Sequence, residues 1–260
     1  MRFDPALPAG LLRLAYDAAD AIMAVYASPF ETRTKDDRSP VTDADEAAEA
    51  VILAGLARLT PGLPVVAEEA AARGAIPDVA GQSFWLVDPV DGTREFIKRN
   101  GEFTVNIALI IEGVPALGVV LTPVDGVAYL GATQKAPQGA RRHRGRDDAV
   151  GEAIAARRVP SAGAVAMTSR SHPEPEAVAW LDGQHIDRCM EAGSSLKFCR
   201  IAEGVADVYP RFARINEWDT AAGQAVLEAA GGSVRDMEGR PLRYGKPAFR
   251  NPSFIARGLD

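Results

Sequence analysis

Apolar residues at Leu11, Leu14, Ala15, Ala18, Ile22 and Val25 recur at the spacing of one helical face, and the pattern predicts an amphipathic helix over Leu11 to Tyr26. A polar run, Glu31 to Asp37, separates it from a second helix, roughly Glu46 to Leu59, whose buried face is Val51, Ile52, Leu56 and several alanines. Thr42 or Asp43 can cap that helix, and Pro61-Gly62 stops it. The period then shortens. Leu63 to Ala67 reads as a short strand ending at Glu68 and Glu69, and Phe84 to Val87 as a fully buried strand closed by Asp88-Pro89. Asp91-Gly92-Thr93 makes a tight turn, with Thr93 the predicted N-cap of Arg94 to Lys98. Thr104 to Ile111 and Ala116 to Leu121 form a predicted antiparallel hairpin, and Val127 to Gly131 adds a strand. Two helices followed by antiparallel strands predict an α+β first half.

The stretch Gln134 to Arg146, rich in Gly, Arg and Lys, reads as an exposed excursion with Arg141 to Arg144 at a solvated hairpin tip. Beyond it, strands at Ala164 to Thr168, Gln184 to Met190 and Val205 to Tyr209 alternate with helices at Glu176 to Leu181, Leu196 to Glu203 and Thr220 to Ala230. Gly231 to Val234 and Phe254-Ile255 are short final strands. Alternation predicts an α/β second half. The expected division is 1–160 and 161–260.

Composition narrows the chemistry. With 260 residues and a net charge of −6, the chain is enzyme-sized and has no basic footprint for a nucleic-acid polymer. No apolar stretch is long enough for a transmembrane segment, and the start Met1-Arg2-Phe3-Asp4-Pro5 lacks a signal-peptide core, so the expected compartment is the cytoplasm. Cys189 and Cys199 form no Cys-x-x-Cys pair and read as small core residues. The three histidines, His143, His172 and His185, are scattered, which argues against a histidine-ligated transition metal.

Acids instead gather at element boundaries: Asp45, Glu68, Glu69, Asp88, Asp91 and Asp219. In isolation Asp43 and Asp45 serve equally as helix caps, and Asp-Pro and Asp-Gly are ordinary turn pairs. Carboxylates beside an anion-attracting helix start would repel a phosphate unless a cation lies between them. Hard oxygen ligands of this kind suit Mg²⁺, and metal-assisted phosphate hydrolysis is the chemistry they point to.

Asp88-Pro89-Val90-Asp91-Gly92-Thr93, with Glu68-Glu69 before it and Trp218-Asp219-Thr220-Ala221-Ala222-Gly223 after it, resembles the signature of the Mg²⁺-dependent, lithium-sensitive phosphatases of the inositol monophosphatase superfamily. Finer matches resemble its 3'(2'),5'-bisphosphate nucleotidase branch, the CysQ proteins. They lie in Ser39 to Asp45, Asp91 to Ile97, Ser169 to His172, Gly193 to Cys199 and Ala206 to Phe212. The resemblance covers nearly the whole chain. It implies an α/β layered sandwich, α-β-α-β-α, with the site between the two halves. It also implies two or three Mg²⁺ ions held by Glu68, Asp88, the Val90 carbonyl, Asp91 and Asp219. Asp45 and Thr93 would position the nucleophilic water, with Asp45 as base, and the Gly92 and Thr93 amides would hold the phosphate.

The implied substrate is a small nucleotide, adenosine 3',5'-bisphosphate, with its 5'-phosphosulfate relative as a second; the reaction removes the 3'-phosphate. Its second phosphate calls for a cation, for which Lys197 and Arg170 are the first candidates and Arg211 a further one. The Gly193-Ser194-Ser195 helix start is a further place for an anion. An inositol or fructose phosphate phosphatase using the same metals, and a non-catalytic nucleotide sensor, remain as rivals. The assembly is left open between monomer and homodimer, as is contact with a membrane surface.

Overall fold

The structure, a computed structural model, describes residues 4–34, 40–133 and 139–259. Met1 to Phe3, Lys35 to Asp37 of the polar run, Ser39 of the Ser39 to Asp45 motif and Gln134 to Gln138 lie outside the described residues.

In the first half α1 (Leu7–Tyr26), β1 (Thr32–Thr34), β2 (Pro40–Thr42) and α2 (Asp43–Leu59) precede β3 (Val65–Ala67), α3 (Glu68–Ala72), β4 (Phe84–Asp91) and α4 (Thr93–Ile97). Then come β5 (Thr104–Ile111), β6 (Val114–Thr122), β7 (Val127–Ala132), β8 (Ala140–Arg144) and β9 (Glu152–Ile154). The second half runs β10 (Ala164–Ser169), α5 (Pro175–Asp182), β11 (Ile186–Ala192), α6 (Leu196–Ala202), β12 (Val208–Arg211) and β13 (Ile215–Asn216). It finishes with α7 (Ala221–Ala229), β14 (Ser233–Asp236), β15 (Arg250–Asn251) and β16 (Phe254–Arg257).

Strands β3 to β9 form one sheet in sequence order, antiparallel except for the parallel β3–β4 pair. A second sheet has the order β11-β10-β12-β16-β14. β4 is apolar without alternation because both of its faces are covered. Trp85 and Val87 join Leu11, Ile22, Ile52 and Leu56 of α1 and α2 in one core. Phe84 and Leu86 join a second core with Phe198 of α6, Val226 and Leu227 of α7, and Val234 and Phe254 of the second sheet. On the far side of that sheet Leu181 of α5 packs with Ala164, Ala166 and Val208. The layers are therefore α1/α2, sheet, α6/α7, sheet and α5: the α/β sandwich, α-β-α-β-α, that the resemblance implied.

Several local expectations are corrected. Thr93 is not the N-cap of α4: the tight turn demands a positive φ, which Gly92 takes at 93°, so Gly92 occupies the cap position and Thr93 opens the helix. Arg141 to Arg144 are not a hairpin tip but belong to β8, which pairs with β7 and buries His143. Arg142 is drawn inward by Glu203, whose carboxylate it meets at 2.7 Å. Val205 to Asp207 are not strand, because their amides cap the end of α6 and reach Val165 instead. Cys199 is buried, whereas Cys189 is exposed. Residues 68–72, directly after the first short strand, are helical.

α7 lies directly on the first sheet because glycines open the way. A Cβ on Gly131 would stand 2.4 Å from Val226 Cα, and one on Gly118 2.7 Å from Ala225 Cβ. Gly131→Ala is therefore expected to destabilise the fold by about 1–3 kcal/mol, read from the urea midpoint at unchanged m-value. An unchanged midpoint would mean that α7 is not seated on this sheet.

Candidate active site

Register brings the first acids together. Parallel pairing sets Ala67 beside Val87, so Glu68, just past the end of β3, follows in register with Asp88 of β4, a strand that runs on to Asp91 rather than closing at Asp88-Pro89. Asp219, just before α7, joins them: one ligand oxygen from each of Glu68, Asp88 and Asp219 lies within 4.8 Å of the others. The β4–β5 register shifts between Asp88 and Asp91, and Asp88 Oδ1 accepts the Val90 amide at 3.0 Å. This Asx-type turn carries the chain across to Asp91.

Two ionised carboxylates about that far apart repel by roughly 3–4 kcal/mol at an effective dielectric near 20. Burial raises Asp219 well above the usual carboxylate range, and the charges of Asp91 and Glu68 push the same way. Burial pushes Asp91 up to about 6, against the pull of Lys197, Asn106 and Ser195. A donor set of partly buried acid oxygens held this close together fits a hard divalent cation. Glu68, Asp88 and Asp219 could hold one directly, with Asp91 beside them.

Asp91 is fixed from both halves of the chain. Its Oδ2 accepts the Ser195 amide at 2.6 Å and Asn106 Nδ2 at 3.2 Å. Ser195 Oγ donates to Asn106 Oδ1 at 2.7 Å and meets Thr104 Oγ1 at 2.9 Å. The Gly193 amide goes to Glu102 at 2.8 Å. Two amides of the α6 start are thus committed to the protein's own carboxylates, which weakens that start as an anion site. Asn106 was not singled out in the sequence; its signal was a polar residue interrupting the apolar run of β5.

Asp45 serves as both cap and site group. Its Oδ2 accepts the Thr42 amide and hydroxyl, each at 2.8 Å, closing a capping box on α2. Its Oδ1 faces the Thr93 hydroxyl at 3.4 Å, which also lies 3.3 Å from the Val90 carbonyl.

A cavity of about 250 Å³ opens on these groups. Glu68, Asp91, Gly92, Thr93 and Asp219 line it, together with Arg94, Lys197, Arg211, Arg214 and Arg250. Lys197 is buried, donates to the Ser194 and Ala192 carbonyls at 2.6 and 3.2 Å, and sits over the Tyr209 ring. Burial brings its ammonium down to about 8, although Asp91 pulls it up. Arg211 pairs with Glu174. His172, in the same wall, is held below its ordinary pKa by burial and by Arg94 and Arg211. Arg170 is exposed and bound to Glu102 at 2.7 Å and Glu191 at 3.2 Å, and is not among the residues lining the cavity. Arg94, Arg214 and Arg250 were missed in the sequence because they come from a helix start, a loop and a short strand far apart in the chain.

A layered sandwich with three converging carboxylates, beside a cavity that also carries cationic side chains, suits a divalent cation and an anionic substrate. The chain belongs to the inositol monophosphatase family, which it matches over residues 8–257. It is 48% identical over 248 residues to the 3'(2'),5'-bisphosphate nucleotidase CysQ of Escherichia coli (strain K12), covering 93% of this chain and 96% of that protein. The crystal structure of CysQ from Bacteroides thetaiotaomicron is similar with a TM-score of 0.78 at 36% identity, covering 99% of this chain and 98% of that one. An inositol monophosphatase from Zymomonas mobilis gives 0.74 at 29% identity, with 95% and 92% covered.

Because Asn106 and Ser195 orient Asp91, Asn106→Ala is expected to raise the divalent-cation concentration for half-maximal activity about 10- to 100-fold. A cation titration of phosphate release checks this. An unchanged half-saturation point would show that Asp91 needs no such support.

Proposed function

We propose that this chain is a Mg²⁺-dependent 3'(2'),5'-bisphosphate nucleotidase. It would release the 3'-phosphate of adenosine 3',5'-bisphosphate, and of its 5'-phosphosulfate relative, as inorganic phosphate. The observation that carries this reading is the mixed lining of one cavity: the acids Glu68, Asp91 and Asp219 share it with Lys197 and four arginines. A substrate with one phosphate at the acids and a second anionic group elsewhere uses both; a sugar monophosphate would leave the second set without a partner. The 48% identity to a bisphosphate nucleotidase over nearly the full length supports the same choice.

In this reading Glu68, Asp88, Asp91, Asp219 and the Val90 carbonyl hold the ions. When bound there, Mg²⁺ supplies the charge that neutralises the ester, acidifies the attacking water and stabilises the departing oxygen. The rest is the work of the chain. The Gly92 and Thr93 amides receive the phosphate at the turn before α4. The Thr93 hydroxyl, between Asp45 and Val90, orients the water, and Asp45 Oδ1 takes up its proton through that hydroxyl. Water oxygen bonds to phosphorus as the ester oxygen leaves, and that oxygen takes a proton from solvent. Lys197, with Arg211, receives the second phosphate. Arg170 acts at most from outside the cavity wall, through Glu102. We assign 1–160 to a unit carrying Asp45, Glu68, Asp88 and Asp91, and 161–260 to one carrying Lys197 and Asp219.

A sensor has no need of a paired base and hydroxyl, so the Asp45–Thr93 contact favours an enzyme. Phosphate release from a panel of adenosine 3',5'-bisphosphate, inositol 1-phosphate and fructose 1,6-bisphosphate tests the assignment. The expected preference for the nucleotide is about tenfold or more in kcat/KM. A comparable preference for inositol 1-phosphate would overturn it. Asp45→Asn, which keeps an oxygen for the Thr42 amide, is expected to lower kcat by about 10²- to 10⁴-fold with KM little changed.

A further inference from the structure

Glu95 is a buried carboxylate that the reaction described above does not use. It is 2% exposed, yet its Oε1 has no hydrogen-bond partner among the described residues. A buried acceptor left without a donor destabilises the empty protein, so its persistence asks for a donor that arrives later. The side chain lines the same cavity as Thr93, Ser194 and Lys197.

Its position is defined by two glycines. A Cβ on Gly92 would lie 3.3 Å from Glu95 Oε2, and a Cβ on Gly193 would lie 2.7 Å from Glu95 Cγ. The side chain is therefore seated in a slot between the turn that receives the scissile phosphate and the loop that leads to Lys197. Glu95 is not part of the acid cluster formed by Glu68, Asp88 and Asp219, so a shared cation does not account for it. His172, Lys197 and Arg170 lie within electrostatic reach. The Lys197 ammonium donates to the Ala192 and Ser194 carbonyls, and the Arg170 guanidinium is engaged by Glu102 and Glu191.

We infer that Glu95 is a specificity-determining residue that accepts a hydrogen bond from the substrate hydroxyl vicinal to the scissile phosphate, so that the site selects ribonucleotides over 2'-deoxyribonucleotides. This rests on the nucleotidase reading. A carboxylate so close to a phosphate-binding turn repels the ester unless a donor lies between them, and a ring carbon next to the phosphorylated one carries such a donor in a ribose. Without that hydroxyl the carboxylate stays desolvated and unpaired beside an anion, which penalises the deoxy substrate.

The test compares kcat/KM for adenosine 3',5'-bisphosphate and its 2'-deoxy analogue in the wild type, Glu95→Gln and Glu95→Ala, each saturated with Mg²⁺. The ratio within one protein is independent of the fraction of folded enzyme. We expect the wild type to favour the ribonucleotide by on the order of 10- to 100-fold. Glu95→Ala should bring the ratio to within about twofold of unity, and Glu95→Gln, which retains an acceptor oxygen, should keep part of the preference. A wild-type ratio near one, or a preference that survives Glu95→Ala, overturns the proposal. So does a Glu95→Ala enzyme that alters discrimination between adenosine and inosine bisphosphates instead, since that would make Glu95 a reader of the base. Failure of the wild type to hydrolyse either nucleotide overturns the nucleotidase reading itself.

Discussion

The structure depends on holding acids together against their own repulsion. Glu68, Asp88 and Asp219 come from the end of β3, the middle of the parallel strand β4 and a distant helix start, and their oxygens converge to within 4.8 Å. No local sequence preference would assemble them. They meet because the register of β3 on β4 is fixed by cores on both faces, and because α7 is laid on the first sheet over Gly118 and Gly131. Packing supplies the free energy that the charges oppose, and burial, with the charges of Asp91 and Glu68 adding to it, raises Asp219 well above the usual carboxylate range.

Two further contacts tie the halves at this point. The Ser195 amide holds Asp91, and the Gly193 amide holds Glu102, so the loop before α6 is anchored to the first half by its backbone. That commitment shapes what the site can bind. In the proposed reading the Gly92 and Thr93 amides take the phosphate, while the loop leads to Lys197, a buried ammonium resting on Tyr209. Acids, amides and cations thereby share one cavity wall.

Much of this was legible in the sequence, for identifiable reasons. α2 announces itself by Thr42 and Asp45, whose capping box forms as the spacing allows. The capping and catalytic readings of Asp45 proved compatible, because its two oxygens face different groups. β4 and the β5–β6 hairpin were readable as apolar runs with a turn between them. Register was not, since side-by-side pairing of β3 and β4 depends on their separation in space. The acids could be named at element ends but not shown to meet. β8 was obscured because an arginine drawn inward by Glu203 looks, in sequence, like one turned to water. Gly92 took the cap position expected for Thr93 because backbone sign, not side-chain chemistry, decides that turn. Arg170 drew notice as a cation, but nothing in its sequence context revealed the two glutamates that engage it.

The central claim is that the fold holds these carboxylates in place for a divalent cation. Urea unfolding of the wild type and Asp219→Asn, each in chelator and in millimolar Mg²⁺, addresses it most directly. In chelator, removing one of the mutually repelling charges should leave Asp219→Asn at least as stable as the wild type. Added Mg²⁺ should then stabilise the wild type by about 2–4 kcal/mol and the variant by much less. A wild type indifferent to Mg²⁺, with Asp219→Asn less stable than it under both conditions, would contradict the account and make the cluster a structural network that needs no cation.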